Sequence, residues 1–158
     1  MASELREQLS TPNRQSSMEP ISETLVRVLY ADIDQMGVAY YGRYPVWFEA
    51  ARTEHLRARG ASYRDLEATG LRLVVSELQV RYRAPARYDD LLRVRCWVRD
   101  IASRRVTFGY AIDRGEGEEL LVTGSTGLLS LDHDFRPVRL PADLESRLKA
   151  TSDPVKLT

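Results

Sequence analysis

The chain is poor in cysteine, histidine and lysine, and each shortage closes off a class of function. Cys96 is the single cysteine, so no intrachain disulfide can form and a reducing compartment, the cytoplasm, is expected. It alternates with Val94 and Val98, which is the place of a buried strand thiol rather than a nucleophile. The two histidines, His55 and His133, lie far from each other and from Cys96 in sequence, a spacing that disfavours a zinc site. There is no glycine-rich phosphate loop and no dinucleotide fingerprint. No apolar run is long enough to span a bilayer, and the N-terminus lacks the apolar core of a secretory signal. An excess of either charge is missing too: 23 Lys and Arg balance 23 Asp and Glu. No global field therefore draws the chain to nucleic acid or to an acidic membrane.

What is present suits one domain with a core of its own, at 158 residues and 43% hydrophobic. The basic residues are nearly all arginine, Lys149 and Lys156 being the lysines. Residues 1–22 are polar and aperiodic and read as a flexible tail, residues 23–150 as the domain and residues 151–158 as a C-terminal tail. Thr24 to Ala31 reads as a strand, with Val26, Val28 and Tyr30 on one face. A polar loop, Asp32 to Arg43, leads to a helix in which Pro45 fits the first turn. Tyr44, Trp47, Phe48, Ala51 and His55 form its apolar stripe, and Gly60 is a left-handed cap. Ser62 to Ala68 predicts a short second helix.

From Leu71 the period changes to two. Val74, Leu78, Val80 and Tyr82 share a face, against Glu77, Gln79, Arg81 and Arg83. Leu92, Val94, Cys96 and Val98 alternate with Arg93, Arg95, Trp97 and Arg99, and Val106, Phe108, Tyr110 and Ile112 form the next apolar face. Gly115 to Glu118 is a hairpin turn, and Leu120 to Leu131 a last strand with Gly124 and Gly127 as close-approach points. Ala142 to Lys149 predicts a terminal helix. The pattern is an α+β fold in which an antiparallel sheet of about five strands wraps one long helix. One helix cannot cover so wide a sheet, so a second subunit is expected to bury the rest, Trp97 included. A homodimer is the minimum, and a dimer of dimers, a homotetramer, extends it.

The loop before the helix carries the chemistry. Asp32 and Asp34 enter it, and its exit is a helix start with unpaired backbone N–H groups. An acid beside such donors is useful chemistry for a carbonyl substrate. From the residues alone, either aspartate could equally be a turn carboxylate.

Several segments in order carry a resemblance: Tyr30 to Val38 with Tyr41 and Tyr44, Phe48-Glu49-Ala50-Ala51-Arg52, Tyr88-Asp89-Asp90, Ser103 to Phe108, and Leu131-Asp132 with Arg136-Pro137-Val138. Across about Leu25 to Leu148 the chain resembles the 4-hydroxybenzoyl-CoA thioesterase family of the hotdog fold. The resemblance implies an acyl-CoA thioesterase in which Asp34 is nucleophile or general base and the backbone N–H of Tyr41 polarises the thioester carbonyl. It implies no metal and no diffusible cofactor. Other hotdog thioesterases keep their acid on the central helix, which makes Glu49 a second candidate, against a helix-surface contact with Arg52 or Thr53. Arg104 and Arg105 match an arginine pair that holds the nucleotide end of CoA, with Thr107 close by. Ser76 either lines the pocket or bonds neighbouring backbone. Arg43 stands where the family's 4-hydroxybenzoyl branch has asparagine, either touching a phosphate or acidic acyl group or sitting in an ion pair. The alternative is a non-catalytic acyl-CoA-binding module. A hydratase is disfavoured, because the loop has no histidine beside its acid.

Overall fold

The computed structural model describes residues 19–115 and 119–158. Most of the expected N-terminal tail and three residues of the expected hairpin turn, 116–118, lie outside the described residues. Strand β1 spans Ile21–Arg27, helix α1 Tyr44–Ala58, helix α2 Tyr63–Ala68, strand β2 Arg72–Tyr82, strand β3 Leu91–Ala102, strand β4 Arg105–Arg114, strand β5 Glu119–Leu131 and helix α3 Ala142–Arg147. The strands form one sheet in the order β1-β3-β4-β5-β2, with every neighbouring pair antiparallel. The expected architecture is present, a five-stranded sheet with one long helix against it. After α1 the chain crosses to the far side, so β2 pairs with β5 and leaves its other edge open.

Two boundaries differ from the sequence reading. Ile21 and Ser22, assigned to the tail, open β1, because Ser22 Oγ reaches His55 Nδ1 at 2.7 Å. The strand then stops at Arg27, and Tyr30 is not on its apolar face. Tyr30 sits in a 3₁₀ turn over Tyr30–Asp32 and stacks on Tyr88 at 4.0 Å on the surface.

Helix α1 begins with Pro45 in its first turn, where the missing N–H costs nothing. Gly60 follows its end at φ 72°. Tyr44, Trp47, Phe48, Ala51, Arg52, His55 and Leu56 are its buried positions. Phe48 is fully buried and stacks on Tyr110 at 4.4 Å, which contributes about 2–3 kcal/mol by burial alone. The close approach depends on Gly124. A Cβ there would stand 2.6 Å from the Phe48 ring and 2.7 Å from the Gln79 carbonyl, so only glycine lets the helix sit on this strand.

A bulge overturns one face assignment. The β2–β5 register slips between Val75 and Glu77, so Ser76 is the extra residue. Val75, opposite the buried Leu128, then shares the inner face with Leu78, Val80 and Tyr82, and Val74 turns outward opposite Leu129.

Trp97 is the second correction. It is fully buried, but by its own chain rather than by a second subunit. After α3 the chain crosses the outer face of the sheet as a strap. Ala150 pairs with Val98, Thr151 N–H donates to the Val98 carbonyl at 2.9 Å, and Asp153 accepts the Trp97 indole N–H at 2.9 Å and a two-pronged contact from Arg99 at 2.8 Å. Farther along, the Leu157 carbonyl accepts from Thr123 Oγ1 at 3.0 Å. Residues 151–158, read as a tail from sequence, thus supply the cover that a two-layer fold lacks on this side. Among the described residues no helix is long and apolar enough to cross a membrane.

Candidate active site

Asp34 is held in a tight loop. Its N–H donates to the Val38 carbonyl at 2.9 Å, its carbonyl accepts from Gly37 N–H at 3.0 Å, and its Oδ1 accepts from Met36 N–H at 2.8 Å. Gly37 closes the turn at φ 78°, a backbone conformation natural to glycine. One carboxylate oxygen is tied to the loop while the half-buried side chain lines a cleft of about 270 Å³. Tyr41, Tyr44, Tyr82, Arg83 and Pro85 also line it.

The chain enters α1 through a 3₁₀ turn, Tyr41–Arg43, in which Arg43 N–H donates to the Tyr40 carbonyl at 2.9 Å. Among the described residues the N–H groups of Tyr41 and Gly42 have no protein acceptor, as expected for the first donors of a helical segment. The cleft thus brings an acid together with a residue whose backbone donor is free. Nothing of this kind exists at a larger cleft of about 370 Å³ beside the strap, lined by Arg81, Arg99, Thr123, Ser125 and Leu157 and by no carboxylate side chain.

Asp32 is structural. It is buried, its Oδ2 accepts from Leu29 N–H at 2.8 Å, and its carbonyl accepts from Tyr40 N–H at 2.8 Å. The Arg43 guanidinium Nε lies 2.7 Å from its Oδ1, although the N–H vector misses the oxygen, so the contact is a close ion pair rather than an aimed hydrogen bond. Arg43 therefore takes the salt-bridged course, and it neutralises the one buried acid of the loop.

The other candidates lie elsewhere in the chain. Glu49 is exposed on α1 and is not paired with Arg52. Arg52 instead turns inward, its Nε donating to Tyr63 Oη at 2.8 Å and its Nη1 to Tyr110 Oη at 3.0 Å. Ser76 follows the second of its two courses, donating at the bulge to the Gly127 carbonyl at 3.1 Å. Arg105 forms an ion pair with Glu77 and lies over Gly127, where a Cβ would meet its guanidinium. Arg104 is exposed, and Thr107 lines an outer-face cleft with Arg99 and Asp153. No three His, Cys, Asp or Glu side chains cluster as a metal site among the described residues.

Tyr82 is the site residue that the sequence did not single out. Its hydroxyl donates to the Tyr41 carbonyl at 2.8 Å, and its ring meets Tyr44 edge-on at 5.4 Å. Tyr44 Oη in turn accepts Ala86 N–H at 3.0 Å. Burial raises the pKa of both phenols, so both stay protonated at neutral pH. A phenol at the end of an otherwise aliphatic inner face, after Leu78 and Val80, was the available signal.

A five-stranded antiparallel sheet packed on one long helix is the hotdog fold, and here an acid loop precedes the helix. The chain belongs to the thioesterase superfamily, whose family model matches residues 36–121, a segment that starts two residues after Asp34 and includes Tyr41 and Tyr82. It is 33% identical over 125 residues to the acyl-CoA thioester hydrolase YbgC of Escherichia coli O6:H1, covering 78% of this chain and 92% of the relative. Among solved structures, a DHNA-CoA thioesterase from Staphylococcus aureus is 38% identical with a TM-score of 0.73, over 76% of this chain and 80% of that one. A 4-hydroxybenzoyl-CoA thioesterase mutant complexed with 4-hydroxybenzoyl-CoA shares the fold at a TM-score of 0.76 and 17% identity, over 83% of this chain and 100% of that one. The protein is an enzyme of the thioester hydrolase class.

Proposed function

We propose that this protein hydrolyses an acyl-CoA thioester to the free carboxylic acid and CoA, with Asp34 as the reacting carboxylate. The observation that carries the reading is the cleft in which Asp34 and Tyr41 meet, at a helix start whose first N–H groups are free. Two courses satisfy the same geometry. As a nucleophile, the Asp34 carboxylate adds to the thioester carbonyl and expels the CoA thiolate, and water then opens the mixed anhydride. As a base, Asp34 takes a proton from water while the hydroxide adds and the thiolate leaves. Each consumes one water, and each builds negative charge on the carbonyl oxygen. A preorganised N–H at that oxygen is worth about 3–4 kcal/mol, and the dipole of α1 adds to it.

The second half of the site, in this reading, is another copy of the chain. The β3–β4 turn with Arg104 and Arg105 lies where β2 begins, since Arg105 pairs with Leu129 and Leu129 with Val74. Asp34 lies where β2 ends, beside Tyr82. The two ends are roughly 25 Å apart at the rise of a strand. Antiparallel pairing of two β2 edges brings the turn of one copy to the Asp34 end of the other. Val74, Val75 and Leu78, all exposed on this edge, fit such a homodimer, and a tetramer would pair two of them. The lone, buried Cys96 fits a cytoplasmic enzyme.

Thiol release from a panel of aromatic and short, medium and long aliphatic acyl-CoAs tests the reading. Asp34→Asn is expected to lose most turnover while keeping the wild-type circular dichroism. Full activity in that variant refutes the assignment, and saturable binding without thiol release by the wild type would make the protein a binding module.

A further inference from the structure

The Tyr41 carbonyl has a particular problem. The α-helical donor would be the N–H of residue 45, four positions on, but residue 45 is proline, which has none, so within the chain's own turn only the 3₁₀ donor three positions on, Tyr44 N–H, faces this carbonyl. Tyr82 supplies a donor from outside the helix, its hydroxyl reaching that carbonyl oxygen at 2.8 Å. The peptide so held joins Tyr41 to Gly42 and carries the Gly42 N–H, which like the Tyr41 N–H before it has no acceptor among the described residues. Gly42 is closely packed too, since a Cβ there would stand 2.7 Å from the Tyr40 ring. The donor itself is anchored: Tyr82 pairs with Val122 in the sheet and its ring lies edge-on to Tyr44.

We infer that Tyr82 is a positioning residue for thioester hydrolysis, its hydroxyl fixing the Tyr41–Gly42 peptide so that the first-turn N–H groups are aimed at the carbonyl oxygen. The inference rests on the reading of Tyr41 N–H as the polarising donor. It adds that the sheet, and not the helix alone, fixes the peptide that follows that donor, the one carrying the adjacent Gly42 N–H. A hydrogen bond accepted by the Tyr41 carbonyl also polarises its own peptide and makes the Gly42 N–H a stronger donor. Raised by burial and by the neighbouring Tyr44 and Tyr41 phenols, the Tyr82 pKa keeps the hydroxyl protonated across the working range.

Tyr82→Phe removes the hydroxyl and keeps the ring. Wild type and variant are compared on hexanoyl-CoA and benzoyl-CoA by thiol release. The expected result is a kcat lower by about 3- to 15-fold, the size of one hydrogen bond, with KM within about twofold and an unchanged melting temperature. A second readout does not depend on turnover: the acyl carbonyl stretch of the same two thioesters bound to Asp34→Asn should move toward its free-solution frequency when Tyr82→Phe is added. An unchanged kcat together with an unchanged carbonyl stretch overturns the inference. So does a fall in kcat that comes with an equal fall in melting temperature and no change in the stretch, which marks a structural role. If the wild type releases no thiol from any acyl-CoA, the proposed function has failed and this inference fails with it. If Asp34→Asn keeps full activity while Tyr82→Phe loses kcat, only the role of Asp34 has failed.

Discussion

Acid should loosen this protein through His55 before it does so through most carboxylates. The ring is buried, with 1% of its surface exposed. Its Nδ1 faces Ser22 Oγ, its Nε2 has no partner among the described residues, and its edge meets Phe108. Burial, and after it the Arg59 guanidinium, push the imidazole down to about 3, against an ordinary value of about 6.5. Above pH 6.5 the ring is neutral in both the folded and the unfolded chain. Between about 6.5 and 3 the unfolded chain takes up a proton that the folded one refuses. Stability is therefore intact above the window and falls by about 1.4 kcal/mol per pH unit on going down through it. Between pH 7.5 and 5.0 the loss amounts to about 2 kcal/mol, and a full passage to pH 3 would reach about 5 kcal/mol. Urea denaturation of wild type and His55→Gln at these two pH values measures it. The variant starts less stable, because it disturbs a filled core, yet it should lose about 2 kcal/mol less than the wild type across the interval. Carboxylates titrate alike in both proteins and cancel in the difference. Parallel losses would refute the argument, for they would mean that water or a rearranged Ser22 accommodates the charged ring.

Two further outcomes follow from the Asp32–Arg43 ion pair and the strap. Arg43→Gln leaves the buried Asp32 carboxylate without its half-exposed cation and should cost about 1–3 kcal/mol in chemical denaturation, the penalty of an unsatisfied buried acceptor. Asp32→Asn added to that variant should return most of the loss, and a cycle with no coupling would count against the pair. Asp153→Ala unpairs the Trp97 indole N–H and frees Arg99, at about 1–3 kcal/mol. A red shift of the Trp97 emission should accompany it, and an unmoved spectrum would mean that the strap holds without Asp153.

Periodicity carried most of the fold because both repeats were strong: the Tyr44 to His55 stripe for the helix, and two-residue alternation for the strands. It failed at Ser76 for a physical reason. One extra residue in a ladder inverts every side chain before it, and nothing about a serine between two hydrophobic runs announces the inversion. Trp97 failed differently. Alternation set it correctly on the outer face, but its cover comes from residues more than fifty positions along, and a polar stretch such as Thr151-Ser152-Asp153 carries no periodic signal. At the site, the family resemblance singled out Asp34 from Asp32, and the structure gives Asp32 a separate employment with Arg43. The reach of Tyr82 across to Tyr41 was illegible, since it depends on where a sheet edge ends relative to a loop forty residues earlier.

The strap and the helix stripe together divide the protein's two tryptophans between opposite sides of the sheet. Trp47 packs edge-on against Tyr44 at 4.9 Å, one ring away from the Asp34 cleft. Trp97 lies on the far side under Asp153. Each indole therefore watches a different event. With Trp97→Phe, the remaining emission reports occupancy of the cleft alone; with Trp47→Phe, it reports lifting of the strap alone. Ligand binding and loosening of the outer face can thus be timed separately, each in its own single-tryptophan variant, with no attached dye.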